Sequence, residues 1–279
     1  MVGIFLKRSA IAVTQRCTLK CKMCNAYMPY YKRPVDMPFE QVVKVLDRYF
    51  SIVDSVGIFS VLGGEPLLHR DVARILNKIN SFSAQITDRI DLVTNGTLDM
   101  NDETFAFFVA NAPKAKVIIS HYGKHSPKAD ALAERLAKHG ANYRVAKYYG
   151  DDLLYGGWVD YSDHSQKHFT QEAIEEQARS CIVRKEQYYL ISEGEMHTCT
   201  RAHWRMREGI IPRNPDEYLD LRDDTASVEQ QKIILARMDK KTSTTSCAYC
   251  AGVTNETKRY PPAEQLKSNF RETINRDSK

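Results

Sequence analysis

The first 150 residues alternate short apolar or β-branched runs with longer stretches whose apolar positions recur at helical spacing, the rhythm of a parallel α/β fold. The pattern predicts strands over Ser9–Thr14, Val56–Leu62, Arg89–Thr94, Lys116–Ser120 and Asn142–Lys147. Between them it predicts helices over Phe39–Tyr49, Asp71–Ile79, Asp102–Ala110 and Pro127–His139. After Gly150 the rhythm breaks: residues 151–168 are polar and aromatic, and Gln171–Arg179 reads as a helix. Tyr188–Ser192 and Met196–Thr200 are strand-like and flank Glu193-Gly194-Glu195, where the glycine supplies the positive φ of a tight turn. A helix near Ser227–Met238 leads to Cys247-Ala-Tyr-Cys250, and the polar end of the chain reads as a peripheral tail.

A chain of 279 residues suits one barrel-sized body with a smaller appendage. No window approaches the roughly eighteen apolar residues that a membrane span needs, and Met1–Lys7 is too short for a signal peptide. The expectation is therefore a cytoplasmic protein with no membrane partner. The formal charge is only +5, and no Lys/Arg stripe interleaved with aromatics points to nucleic acid. Seven cysteines, an odd number, suit a secreted disulfide scaffold poorly, whereas clustered cysteines in a reducing compartment hold metal or do chemistry.

Cys17-Thr-Leu-Lys-Cys21-Lys-Met-Cys24 places three thiols within one loop directly after the first expected strand. A four-iron cubane held by three cysteines keeps one iron open to substrate or cofactor. A zinc site with a distant fourth ligand, or three unrelated core cysteines, fits the same spacing. After the second expected strand comes Gly63-Gly64-Glu65-Pro66, whose glycines permit close backbone approach and whose carboxylate can take an ammonium group.

The two motifs, in this order and context, resemble those of the radical S-adenosylmethionine (SAM) superfamily. The resemblance covers about residues 8–150 and implies a partial (β/α)6, TIM-like barrel. It also implies that Cys17, Cys21 and Cys24 ligate a [4Fe–4S] cluster whose open iron chelates SAM, while Gly63, Gly64 and Glu65 hold the methionyl amine and Pro66 completes the cofactor-binding motif. Met23 stands where the family often has an aromatic residue near the adenine, and Thr94, Asn95 and Ser120 fall at positions that commonly contact SAM.

Cys181, Cys199 and the Cys247-x-x-Cys250 pair resemble the twitch extension, a short relative of the SPASM extension, in which a β-hairpin and a helix–loop ligate an auxiliary [4Fe–4S] cluster. A four-thiolate zinc site fits the same residues. Three ligands plus four use all seven cysteines. The resemblance divides the chain into a core barrel (1–150), a connecting segment completing it (151–180), a twitch region (181–255) and a tail (256–279).

Among twitch enzymes the likeness is to the aminocyclitol dehydrogenases, which implies hydrogen abstraction by a 5′-deoxyadenosyl radical followed by two-electron oxidation of a polar small molecule. An electron donor of flavodoxin or ferredoxin type is implied as well. His121, Tyr122, His125 and His164, with Asp163 beside it, are the candidates for the base that takes a hydroxyl proton. The rival readings are a maturase or epimerase acting on a ribosomal peptide, and, from another class, a non-catalytic metal-binding or redox-sensing protein.

Overall fold

The computed structural model describes residues 3–254 and 256–267. Five strands, β1 (Phe5–Ala12), β2 (Ser55–Leu62), β3 (Ile86–Thr94), β4 (Ala115–His121) and β5 (Tyr143–Lys147), alternate with four helices, α1 (Phe39–Ile52), α2 (Val72–Asn80), α3 (Asp102–Ala110) and α4 (Ala129–Lys138). Then follow α5 (Gln171–Ser180), α6 (Ile182–Lys185), β6 (Tyr188–Ser192), β7 (Glu195–His197), α7 (Ala202–Arg207), β8 (Tyr218–Asp220) and α8 (Val228–Lys240). All eight strands form one sheet in the order β5-β4-β3-β2-β1-β6-β7-β8. It is parallel from β5 to β6 and antiparallel beyond.

The expected α/β class and mostly parallel sheet are present, but the sixth parallel strand comes from an unexpected place. Residues 151–180 contain no strand and only one isolated bridge, Trp158 to Tyr260. β6, the first hairpin strand, pairs in parallel with β1 instead. The polar segment before it lacks the apolar alternation that would bury a strand on either face. The hairpin turns through Glu193 (φ 50°) and Gly194 (φ 86°), the two left-handed residues of a tight turn. Its second strand ends at His197, so Cys199 lies in the loop beyond it.

Alternation divides the strands into two faces. Ile11, Phe59, Val61, Ile90, Leu92, Val117 and Ile119 pack in the core beneath the helices, with Val42, Val45, Leu46 and Tyr49 of α1 at helical spacing. The opposite face carries small residues near the carboxyl ends: Ala10 and Ala12 on β1, Ser60 on β2, Ser120 on β4 and Ala146 on β5. Barrel interiors are usually filled by large branched residues. Here Ala10 and Ala12 instead pack with Tyr27, Met28, Val159, Tyr161 and Trp204, on the side where Cys24 and Cys250 lie.

Candidate functional site

Cys17, Cys21 and Cys24 occupy the loop after β1, and their thiols interact with one another electrostatically. That loop is locked to the Gly63–Pro66 loop after β2, backbone against backbone: Gly64 N–H donates to Thr14 O and Glu65 N–H to Arg16 O, both at 2.8 Å. A Cβ at Gly63 would lie 2.4 Å from Thr14 O, and one at Gly64 would lie 2.2 Å from Arg16 O. Both positions therefore require glycine.

Glu65 is fully buried and ties this assembly to the end of β3. Its Oε1 accepts from Thr94 Oγ1 (2.9 Å) and Leu67 N–H (3.1 Å), and its Oε2 accepts from Asn95 N–H (2.7 Å). Burial raises its pKa to about 7 against the pull of these donors. About one of a carboxylate's four acceptor sites remains free for an ammonium group. Asn95 Nδ2 reaches Cys17 Sγ at 3.5 Å, and Met23 is buried.

Two braces gave no sequence signal. Arg16 forks onto Asp36 at 2.8 and 2.6 Å and also binds Leu68 O. Gln265 Nε2 donates to Cys21 Sγ at 3.4 Å, while Glu264 O and Leu266 N–H bond Lys22 and Lys20 across the loop. The described part of the end segment is thus not a peripheral tail. A lone glutamine far along the chain has no spacing that could reveal this contact.

Burial pushes the Cys17 thiol up to about 11 and Cys21 to about 12, so both carry protons until a metal displaces them. The N–H groups aimed at sulfur are the donors that cluster thiolates accept, and this donor set fits an iron–sulfur group.

Cys181, at the junction of α5 and α6, joins Cys199, Cys247 and Cys250 around one cavity. Arg205, fully buried, grips the Cys247–Cys250 turn by donating to Ser246 O and Tyr249 O, each at 3.0 Å. Glu217 caps the start of that turn by accepting from Thr245 N–H and Oγ1. Arg201 lines the cavity and is itself buried, with Nε unpartnered. An orphaned buried cation facing four thiols fits an anionic metal–thiolate group. All seven cysteines are free thiols. Among the described residues no three His, Cys, Asp or Glu side chains close to the spacing of a single bound ion.

Residues 11–145 match the family model of the radical SAM superfamily. The chain carries a radical SAM domain. Part of it is 29% identical over 127 residues to a GTP 3′,8-cyclase of Campylobacter jejuni subsp. doylei, covering 45% of this chain and 38% of that protein. It is also 31% identical over 91 residues to an S-adenosylmethionine-dependent nucleotide dehydratase of Selenomonas ruminantium, covering 32% and 30%. The matched stretches thus span well under half the length of these curated relatives. The fold is shared with BtrN in complex with AdoMet and 2-DOIA, at a TM-score of 0.54 and 14% identity over 93% of this chain and 99% of that one.

Around the radical SAM loop the candidate bases separate. His121 follows Val117 and Ile119 onto the helix side of β4, with Nε2 3.2 Å from Asp130 Oδ1 of α4 and Nδ1 accepting from Gly123 N–H. The two-residue alternation along β4 already put it on that face. Tyr122 lies on the opposite face, stacked on Tyr148 (5.3 Å) and edge-on to Trp158 (5.5 Å). Burial lifts its phenol well above the ordinary value, so it stays protonated. Asp163 is salt-bridged to Lys167 at the surface, and His125 sits in the turn Gly123–His125. His164 packs against both Tyr27 (5.3 Å) and Trp204 (5.2 Å) with its Nδ1 buried and unpartnered. Burial, reinforced by Arg205, lowers its pKa and keeps the ring neutral.

Tyr27 connects the two cysteine sites. Its N–H donates to Cys24 O (3.0 Å), its ring lies 4.4 Å from that of Trp204, and its hydroxyl donates to Tyr161 O (2.8 Å). Arg201 lies over the Tyr161 ring at 4.2 Å.

Proposed function

We propose that the chain is a radical SAM oxidoreductase that removes two electrons from a polar small molecule, a sugar, cyclitol or related alcohol, and delivers one of them to an auxiliary [4Fe–4S] cluster. The observation that carries this reading is the cavity shared by Cys181, Cys199, Cys247 and Cys250. Four thiolates for four irons leave no open iron, so such a group exchanges electrons and binds no substrate. Cys17, Cys21 and Cys24 would hold the other [4Fe–4S] cluster, which with SAM bound and one electron from a flavodoxin or ferredoxin supplies a 5′-deoxyadenosyl radical.

The chain's own residues do the rest. The remaining acceptor site of Glu65 and the Gly63–Gly64 backbone take the SAM ammonium, with Thr94 and Asn95 holding Glu65 in place. Met23, buried, would pack beside the adenine, and Ser120, on the same face as Ala146, would bound that side of the sheet. Tyr122, Tyr148 and Trp158 exclude water from the space over β4 and β5. His164, held neutral, takes the hydroxyl proton at Nδ1. The balance would close: a secondary alcohol would give a hydrogen atom to the radical, a proton to His164 and an electron to the group held by Cys181, Cys199, Cys247 and Cys250, and would become a ketone.

The test is anaerobic turnover of cluster-loaded protein with SAM, reductant and a panel of sugars and cyclitols. A product two hydrogens lighter, formed with equal 5′-deoxyadenosine, is expected. A product of unchanged mass inverted at one carbon contradicts oxidation.

A further inference from the structure

Two guanidinium groups, Arg184 and Arg201, line the four-cysteine cavity, and none of the described residues around it is acidic. Arg201 keeps only 2% of its surface exposed. Among the described residues its guanidinium makes one hydrogen bond, to Thr200 Oγ1, long at 3.4 Å; its Nε has no partner there, and its flat face rests on Tyr161. Its electrostatic neighbours are Cys199, Cys250 and Cys181. A buried guanidinium with no carboxylate is costly unless another anion compensates it. The cavity can offer only its thiolates and what they bind. Arg184 is anchored at the rim by donating to Lys241 O.

The three-cysteine site is surrounded differently. A buried carboxylate, Glu65, stands near Cys17, and the donors to sulfur there are neutral: Asn95, Gln265 and the Leu19 backbone. Reduction adds negative charge, which a fixed cation in a low-dielectric surround favours more than neutral donors do.

We propose that Arg201, seconded by Arg184, raises the reduction potential of the four-cysteine cluster above that of the three-cysteine cluster and so fixes the direction of electron flow. The inference rests on the two-cluster reading above. Arg201 acts as a positioning residue through charge: it donates no proton to substrate, and its flat contact with Tyr161 holds the guanidinium against the thiols.

The test is an EPR-monitored redox titration of the full, cluster-loaded chain as wild type, Arg201→Gln, Arg201→Lys and Arg184→Gln, with iron, sulfide and zinc counted on the same samples. In Arg201→Gln the electron-uptake constant of the four-cysteine cluster should fall at least tenfold, a midpoint about 59 mV more negative for one electron. Arg201→Lys should keep most of the wild-type value, and the three-cysteine cluster should not move. An unchanged midpoint in an Arg201→Gln protein that still holds about eight irons overturns the proposal while leaving two clusters in place. Zinc instead of the second set of irons in the wild type overturns the two-cluster reading itself. If Arg201→Gln assembles only the first cluster, Arg184→Gln decides: a more negative midpoint supports the proposal and an unchanged one overturns it.

Discussion

At Gly64 the absence of a side chain decides whether the first site can exist. A methyl group there would meet Arg16 O at 2.2 Å and Cys17 Cβ at 2.9 Å, both parts of the cysteine loop. Gly64→Ala should therefore cost about 2 kcal/mol or more through overpacking and should strip about four irons from the loaded protein. Urea midpoints and iron analysis check this, and a variant with unchanged stability and iron would mean that the two loops are not locked together. Residues of this kind were legible because their chemistry comes as a pattern: three cysteines at fixed spacing, two glycines before a glutamate. Arg201, Arg205, Gln265 and Tyr27 were not, because a single residue acquires its role only from distant neighbours, such as Gln265 across the loop from Cys21.

Among elements, the hairpin does more than present cysteines. Glu195 at the start of β7 accepts from Arg213 (2.7 Å), Arg222 (3.0 Å) and His197 (3.3 Å). Burial alone would raise its pKa, but His197 and Arg213 hold it down at about 2, below the ordinary 4.5. A carboxyl depressed on folding stabilises the fold above its unfolded value and loses that contribution as pH falls from 4.5 towards 2. Both arginines are partly exposed, so the effect is of order 2 kcal/mol or less. The stability gap between metal-free wild type and Glu195→Gln should be open at pH 5 and narrowed at pH 3, whereas an equal gap at both would contradict the pairing. Periodicity located the longer elements, with α3 found at its observed bounds. It missed β8 and α7, too short for a period to register, and it could not say that β6 pairs with β1, since alternation marks a strand but not its neighbour.

For the whole molecule, the sheet places both cysteine sites on one side and the Tyr27–Trp204 contact joins them. No helix among the described residues is long and apolar enough to cross a membrane. The upper face of β1, β2, β4 and β5 carries small residues, and the buried Arg201 and Glu65 place groups of different charge beside the two sites. The proposal of two clusters in one chain ties these features together. The direct test is iron, sulfide and zinc content with EPR on anaerobically purified, dithionite-reduced protein, wild type beside the Cys17/Cys21/Cys24→Ala variant, with 5′-deoxyadenosine measured after SAM is added. About eight irons in the wild type, about four in the variant, and 5′-deoxyadenosine from the wild type alone are expected. Zinc in the four-cysteine site would contradict it, because the oxidation would then have no internal electron acceptor.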